Sequence, residues 1–163
     1  FAETLFKMMS RKRYGLTDYD SCVKAARTAL EEMGLATKGV CQIFDGSGLS
    51  RKNYVSAEFF VSFLRAMNCT EVGDMYRRSL PSPGKHGTLE YMFSKESAAF
   101  RSRIFMKSGS MNGVRCYSGY ILPESGDSQK TIVFSLLTNN VVADSWMVNP
   151  SIDGIIKALA AEN

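Results

Sequence analysis

Between Arg103 and Thr138 apolar and polar side chains alternate with a period of two, and the alternation is broken at Asn112-Gly113 and again at Glu124-Ser125-Gly126-Asp127. A period of two is what an extended strand imposes, because successive side chains leave opposite faces of the backbone. Asn-Gly supplies the positive φ angles of a two-residue hairpin loop. The pattern therefore predicts strands at about 103–109, 114–122 and 130–138, joined in order as an antiparallel meander. Such a sheet needs helices to cover it, and the rest of the chain offers them.

"TDYDSCVKAARTALEEMG" has Asp18 or Asp20 as an N-cap, apolar positions at Val23, Ala26, Leu30 and Met33, and Gly34 as a stop. Ser56 caps a second helix running to about Met67. "GVCQIF" reads as a buried strand entering a tight loop at Asp45-Gly46-Ser47-Gly48. "PSPG" at 81–84 is a turn, "GTLEYMF" at 87–93 reads as a short helix, and Asn149-Pro150-Ser151 opens a terminal helix to Leu159. "FAETLFKMMS" places Phe1, Leu5, Met8 and Met9 on one helical face with no capping residue ahead of it, so we expect the chain to have been cut from a longer one. The sum is an α+β fold. With 163 residues, 45% of them hydrophobic, one domain spanning 1–163 is expected.

The net charge of +4 is spread along the chain apart from Arg11-Lys12-Arg13, which reads as a solvated helix end, so nucleic acid is not an expected partner. Cys22, Cys41, Cys69 and Cys116 form no CxxC pair and the only histidine is His86. Zinc and haem are not expected, nor any other cofactor. The cysteines read as small buried side chains and His86 as a loop residue without a catalytic role. No stretch approaches the roughly 20 apolar residues of a transmembrane helix, and no charged-then-apolar leader opens the chain.

The first strand contains Lys107-Ser108-Gly109-Ser110. A lysine in a cleft brings positive charge and a route for protons, a hydroxyl binds carboxylate, a glycine without Cβ lets a substrate lie against the strand, and the next backbone N–H can meet a developing oxyanion. Three common residues also meet by chance, so the motif needs context.

Two stretches provide it. "DGSGLSRKN" at 45–53 and "KSGSMNGVRCYSGY" at 107–120 together resemble the D-alanyl-D-alanine carboxypeptidase/endopeptidases, the class C low-molecular-mass penicillin-binding proteins. In that family an Asp-Gly-Ser-Gly-Leu-Ser-Arg loop precedes a Lys-Thr-Gly strand, which continues as Gly-Val and then Gly-Tyr or Gly-Phe; Gly113-Val114 and Gly119-Tyr120 follow here. "FAETLFKMM" is similar to the helix after the family's Ser-x-Asn triad and "GTLEYMF" to its Gly-Thr/Ser-Leu segment.

The resemblance implies the antiparallel sheet and flanking helices of serine β-lactamases and D,D-peptidases, truncated here, and a serine-type peptidase of peptidoglycan stem peptides that β-lactams acylate. It implies Lys107 as charge partner and proton relay, Ser108 and Ser110 as the grip on the terminal carboxylate, the Ser110 N–H as an oxyanion donor, and Gly109 as the residue the substrate lies against. Ser47, Arg51 and Asn112 would recognise the stem peptide's third residue, an arginine suiting a carboxylate there. Plainer readings stand beside these: Arg51 as a loop-bracing surface arginine, Asn112 as a residue chosen for its turn. The compartment implied is the periplasm or outer envelope.

The family's Ser-x-x-Lys nucleophile and Ser-x-Asn triad belong upstream of Phe1, so the chain alone is expected to be inactive. Ser21-Cys22-Val23-Lys24 falls on a helix that matches a surface helix of the family, and Ser110-Met111-Asn112 overlaps the Lys-Ser-Gly strand; both read as coincidence. With strands of the sheet expected upstream, the strand at 130–138 is left as an edge through which the fragment is expected to dimerise. The rival readings are a non-catalytic peptidoglycan-binding or scaffolding domain of the same fold and a β-lactamase, the Asp45–Arg51 loop favouring the peptidase.

Overall fold

The computed structural model describes residues 1–85 and 87–162, so the expectation for His86 lies outside the described residues. The chain divides into two compact units, residues 1–63 and the residues from Leu64 onward.

The first unit is a pair of helices and a loop held by a small ribbon. Helix α1 (Ala2–Tyr14) ends at Gly15, whose φ of 73° is the left-handed conformation that a helix stop asks of glycine. Helix α2 (Tyr19–Glu32) begins at Asp18, which accepts a 2.9 Å hydrogen bond from the Ser21 N–H, and ends before Gly34, φ 78°. Within this unit Phe6 and Ser10 of α1 and Cys22 and Ala25 of α2 are buried. Tyr14 meets Thr28 at 3.3 Å and Arg13 pairs with Glu32 at 2.5 Å. The expected stripe of α1 is not the packed one: Phe1, Leu5 and Met8 are exposed and the packed side is rotated to Phe6 and Ser10. Small side chains on α2 accept a close neighbour there, and it is the neighbour that selects the face.

The "GVCQIF" run is not a buried strand. Strand β1 (Cys41–Gln42) is two residues long and pairs with β2 (Tyr54–Val55), with Val40, Gln42 and Phe44 exposed. The Asn53 carboxamide accepts from the Phe44 N–H at 2.7 Å, so the chain turns away into the loop where a strand would continue. Helix α3 (Ala57–Asn68) is capped by Ser56, whose hydroxyl accepts from the Phe59 N–H at 3.0 Å.

The second unit is built on the meander. Strands β3 (Ile104–Met111), β4 (Val114–Ile121) and β5 (Ile132–Thr138) form one sheet in the order β3-β4-β5, antiparallel throughout. The two-residue loop joins Met111 to Val114, with Gly113 at φ 74°. One face of the sheet presents Ile104, Met106, Ile121 and Phe134 to helix α6 (Ser145–Ala161), which contributes Ile152, Ile156 and Ala160; Leu89 and Phe93 close this core. Each fully buried aliphatic or aromatic side chain here contributes roughly 1.5–3 kcal/mol.

Shorter helices α4 (Gly73–Ser79) and α5 (Ala98–Ser102) precede the sheet, and 87–93 forms consecutive turns where a helix was expected. Phe93 reaches the core from a left-handed backbone, φ 56°, which a bulky residue adopts only when packing holds it. Helix α6 begins at Ser145, ahead of the expected Asn149-Pro150-Ser151 start, and Pro150 lies inside it. The ring costs one hydrogen bond to the preceding turn, a loss the packing of Ile152 and Ile156 offsets. Arg103 ties the sheet to the end of this helix by donating to the Leu122 carbonyl at 3.0 Å and the Ala160 carbonyl at 3.1 Å.

All four cysteines are free thiols. Only Cys22 is buried; Cys41 and Cys116 are half-buried and Cys69 is exposed, which corrects the uniform burial expected of them. No helix among the described residues is long and apolar enough to cross a membrane.

Candidate active site

Strand β3 carries four of the predicted site residues, Lys107, Ser108, Gly109 and Ser110, and its pleat sorts them. Ile104 and Met106 belong to the core face, so Ser108 and Ser110 continue that face, while Lys107 and Gly109 lie on the other. The Lys107 side chain therefore does not share a face with those of Ser108 and Ser110. What brings them together is the strand's outer edge.

The Met106 N–H donates at 2.9 Å to the carbonyl of Pro81, away from β4. By the alternation of an antiparallel ladder, the backbone groups of Ser108 and Ser110 also point outward, whereas Lys107 and Gly109 exchange theirs with Ser118 and Cys116 of β4. The Lys107 ammonium bends over this edge and donates to the outward carbonyl of Ser108. The lysine charge and the outward backbone groups of Ser108 and Ser110 thus meet along one edge.

The two glycines differ in what they are for. A Cβ added at Gly119 would lie 2.1 Å from the Phe105 carbonyl oxygen and 2.5 Å from Met106 Cα, so β3 and β4 approach as they do only because position 119 is glycine. A Cβ at Gly109 would meet only Cys116 Cβ, at 3.5 Å, an ordinary contact. Nothing among the described residues crowds a side chain out of position 109. Beside Gly119, Tyr120 is fully buried, and its hydroxyl donates to the Leu64 carbonyl at 2.7 Å; burial pushes its phenol up to about 12.

Asn112 sits exposed in the hairpin loop, which is anchored by the Val141 N–H donating to the Gly113 carbonyl at 2.9 Å. A recess beside the loop is lined by Ser110, Met111, Asn112, Arg115, Val141 and Asp144, among others. Arg115 donates to the carbonyls of Met111 and Val114 and so holds the loop from beneath.

Ser47 and Arg51 belong to the first unit. The Asp45 carboxylate organises their loop, accepting from the Asn53 amide at 2.7 Å, the Gly48 N–H at 2.9 Å, the Ser50 N–H at 2.9 Å and the Ser47 hydroxyl at 3.1 Å. Partial desolvation opposes ionisation there, and the donors from Asn53, Ser50, Gly48 and Ser47 outweigh it, holding the Asp45 pKa below its ordinary value. The Ser47 hydroxyl also accepts from the Leu49 N–H, so it braces the loop. Arg51 is exposed and forms no ion pair among the described residues.

Sequence reasoning missed two residues that hold this loop. Asn53 bonds both into and out of it, and its signal was the asparagine closing the Asp45–Asn53 stretch. Glu3 accepts from the N–H groups of Gly46 and Ser47 at 3.0 and 3.2 Å, a contact across more than forty residues that no local pattern announces.

Residues 1–161 match the family model of the D-Ala-D-Ala carboxypeptidase 3 (S13) family. The chain is 30% identical over 162 residues to the penicillin-sensitive carboxypeptidase A of Dictyostelium discoideum, covering 96% of this chain and 30% of that protein. It is 30% identical over 143 residues to the D-alanyl-D-alanine carboxypeptidase of Actinomadura sp. strain R39, covering 85% of this chain and 25% of that protein. Penicillin binding protein 4 from Haemophilus influenzae superposes with a TM-score of 0.76 at 23% identity, covering 88% of this chain and 31% of that one. The Bd0816 predatory endopeptidase of Bdellovibrio bacteriovorus gives 0.67 at 16%, over 98% and 43%. The chain thus spans about a third or less of the curated relatives it matches, and over the superposed residues it shares the fold of the Haemophilus influenzae protein. On the extent of the family match, the chain belongs to the D-Ala-D-Ala carboxypeptidase 3 (S13) family.

Proposed function

We propose that this chain furnishes one wall of the substrate cleft in a serine-type D-alanyl-D-alanine carboxypeptidase/endopeptidase of the cell envelope, acting on peptidoglycan stem peptides. The nucleophilic serine comes from the remainder of the parent protein. It attacks the penultimate D-Ala carbonyl, the leaving amine departs, and water hydrolyses the acyl-enzyme; β-lactams acylate the same serine. Lys107 supplies positive charge and relays protons, the Ser108 and Ser110 hydroxyls hold the terminal carboxylate, and the Ser110 N–H meets the oxyanion. Ser47, Arg51 and Asn112 read the third residue of the stem.

The observation that carries this reading is the outer edge of β3: outward backbone groups at Ser108 and Ser110, a lysine bent over them, and at Gly109 a glycine no neighbour requires. An extended substrate can add to such an edge as a further strand. Fluorescent-penicillin labelling of the full-length protein tests it. Ser110→Pro removes the outward N–H without touching the β3–β4 ladder, a position where proline is tolerated, and should slow acylation about a hundredfold. This chain alone should not label. Equal labelling of Ser110→Pro and the parent refutes the oxyanion role, and a folded parent that never labels moves the assignment to a non-catalytic peptidoglycan-binding domain.

A further inference from the structure

Glu3 lies in the first turn of α1, far in sequence from every residue assigned a role above, yet its Oε1 takes two backbone donors from the middle of the Asp45–Asn53 loop, Gly46 at 3.0 Å and Ser47 at 3.2 Å. Its Oε2 is buried with no hydrogen-bond partner, so those two N–H groups are what compensates the carboxylate for leaving water. The contact is close: a Cβ at Gly46 would fall 2.5 Å from Phe6 Cβ and 3.1 Å from the Ala2 carbonyl, so α1 and the loop touch through a position that only glycine fits. The other bonds that shape the loop run within it, through Asp45, Asn53, Ser47 and Ser50, or to its neighbouring strand β1, where Gln42 donates to the Lys52 carbonyl at 2.8 Å. Those bonds set its shape. Glu3 is what fastens that shape to a helix.

We infer that Glu3 is a positioning residue for Arg51: by clamping Gly46 and Ser47 to the first turn of α1 it sets where the Arg51 guanidinium is presented, and with it the preference for a substrate side chain ending in carboxylate. This rests on the reading of Arg51 given under the proposed function. The clamp needs an acceptor oxygen and does not need its charge, because both donors are neutral backbone groups. A fork-shaped bidentate pair depends on placement, so a loop free to shift weakens that pair more than it weakens contacts along β3.

The test uses the full-length protein and two peptides that share a D-Ala-D-Ala terminus and differ in whether the third residue's side chain ends in carboxylate. The readout is the ratio of their kcat/KM values, which a general loss of folded enzyme leaves unchanged. Arg51→Ala is the benchmark and should lower that ratio about tenfold, the loss of one charge-assisted pair. Glu3→Ala should lower it by a similar factor, chiefly through KM of the carboxylate-bearing peptide, and Glu3→Gln, which keeps the acceptor, should restore it. The double variant should lose no more than either alone, because the two act through one contact. If Glu3→Ala does not fold, Glu3→Asp, one methylene short of both donors, carries the same expectation. A ratio lowered by Arg51→Ala but unmoved by Glu3→Ala or Glu3→Asp overturns the inference. A ratio unmoved by Arg51→Ala overturns the role of Arg51 itself.

Discussion

Adding one methyl group at Gly119 and, separately, at Gly109 should separate what β3 needs in order to fold from what it needs in order to bind. At position 119 the new Cβ would stand 2.1 Å from the Phe105 oxygen, 2.5 Å from Met106 Cα and 2.6 Å from Met106 Cβ. Two of these are backbone atoms and cannot rotate aside, so the strands must separate by about 1 Å before the contact becomes tolerable in an interior packed to crystal density. Overpacking of that kind costs about 1–3 kcal/mol, and stretching the ladder bonds that flank Gly119 adds about 1 kcal/mol each. A total of about 2–5 kcal/mol is expected, which for a chain of this size lowers Tm by roughly 5–15 °C. At position 109 the same methyl meets one side-chain atom at 3.5 Å, so stability should stay within about 0.5 kcal/mol of the parent sequence. Urea unfolding of this chain measures both. Acylation of the full-length protein by fluorescent penicillin then gives the second axis: Gly109→Ala should fold normally and label slowly. If Gly119→Ala unfolds at the parent's urea concentration, the account of the β3–β4 approach is wrong. If Gly109→Ala labels at the parent's rate, the strand is not the surface the substrate lies on.

Three further outcomes are expected. The donors around Asp45 hold its pKa below the ordinary value, so its stabilisation is present above the unfolded-state pKa near 4 and is lost as pH falls through the lower folded value; Asp45→Asn should flatten that acid limb in unfolding midpoints measured from about pH 5 downward, and an unchanged limb refutes the loop's bonding scheme. Tyr120→Phe removes the buried phenol donor to the Leu64 carbonyl, which its place in α3 also serves, and should cost about 0.5–1.5 kcal/mol in urea unfolding, while an unchanged stability would mean this bond adds nothing to the fold. Strand β5 has β4 as its one partner among the described residues, and Ile132, Val133, Leu136 and Leu137 make its length apolar; the mass of this chain in light scattering should rise with concentration, and a constant monomer mass over a wide range counts against pairing through that edge.

Local chemistry made much of this fold readable. Asn112-Gly113 and Asp18 act on the residues beside them, so the hairpin and the start of α2 stand where the sequence placed them, and Ser56 caps α3 for the same reason. The errors fall where a distant neighbour decides. The buried side of α1 depends on which residues of α2 lie against it, and Leu5 and Met8 satisfied the helical period without having a partner there. "GVCQIF" was apolar enough for a strand, yet the Asn53 side chain captures the Phe44 N–H and ends it after two residues. Pro150 looked like a helix start because proline is welcome in a first turn; here packing on both sides carries the helix through it. The site divided along the same line. Its motif was legible as a string, whereas the assignment of side chains to opposite faces, with the backbone edge as the meeting place, required the ladder.

Every strand pairing in the meander joins chain neighbours: β3 folds onto β4 through a two-residue loop, and β5 follows onto β4. Sheets of this kind incur little loop-closure entropy and form from the turn outward. The edge that carries Lys107 through Ser110 can therefore zip from Asn112-Gly113 early, with α6 docking afterwards over Ile104 and Met106. An edge that assembles from its own hairpin has its register set before more distant segments pack against it, so errors in long-range assembly would delay folding and leave the geometry of this strand intact.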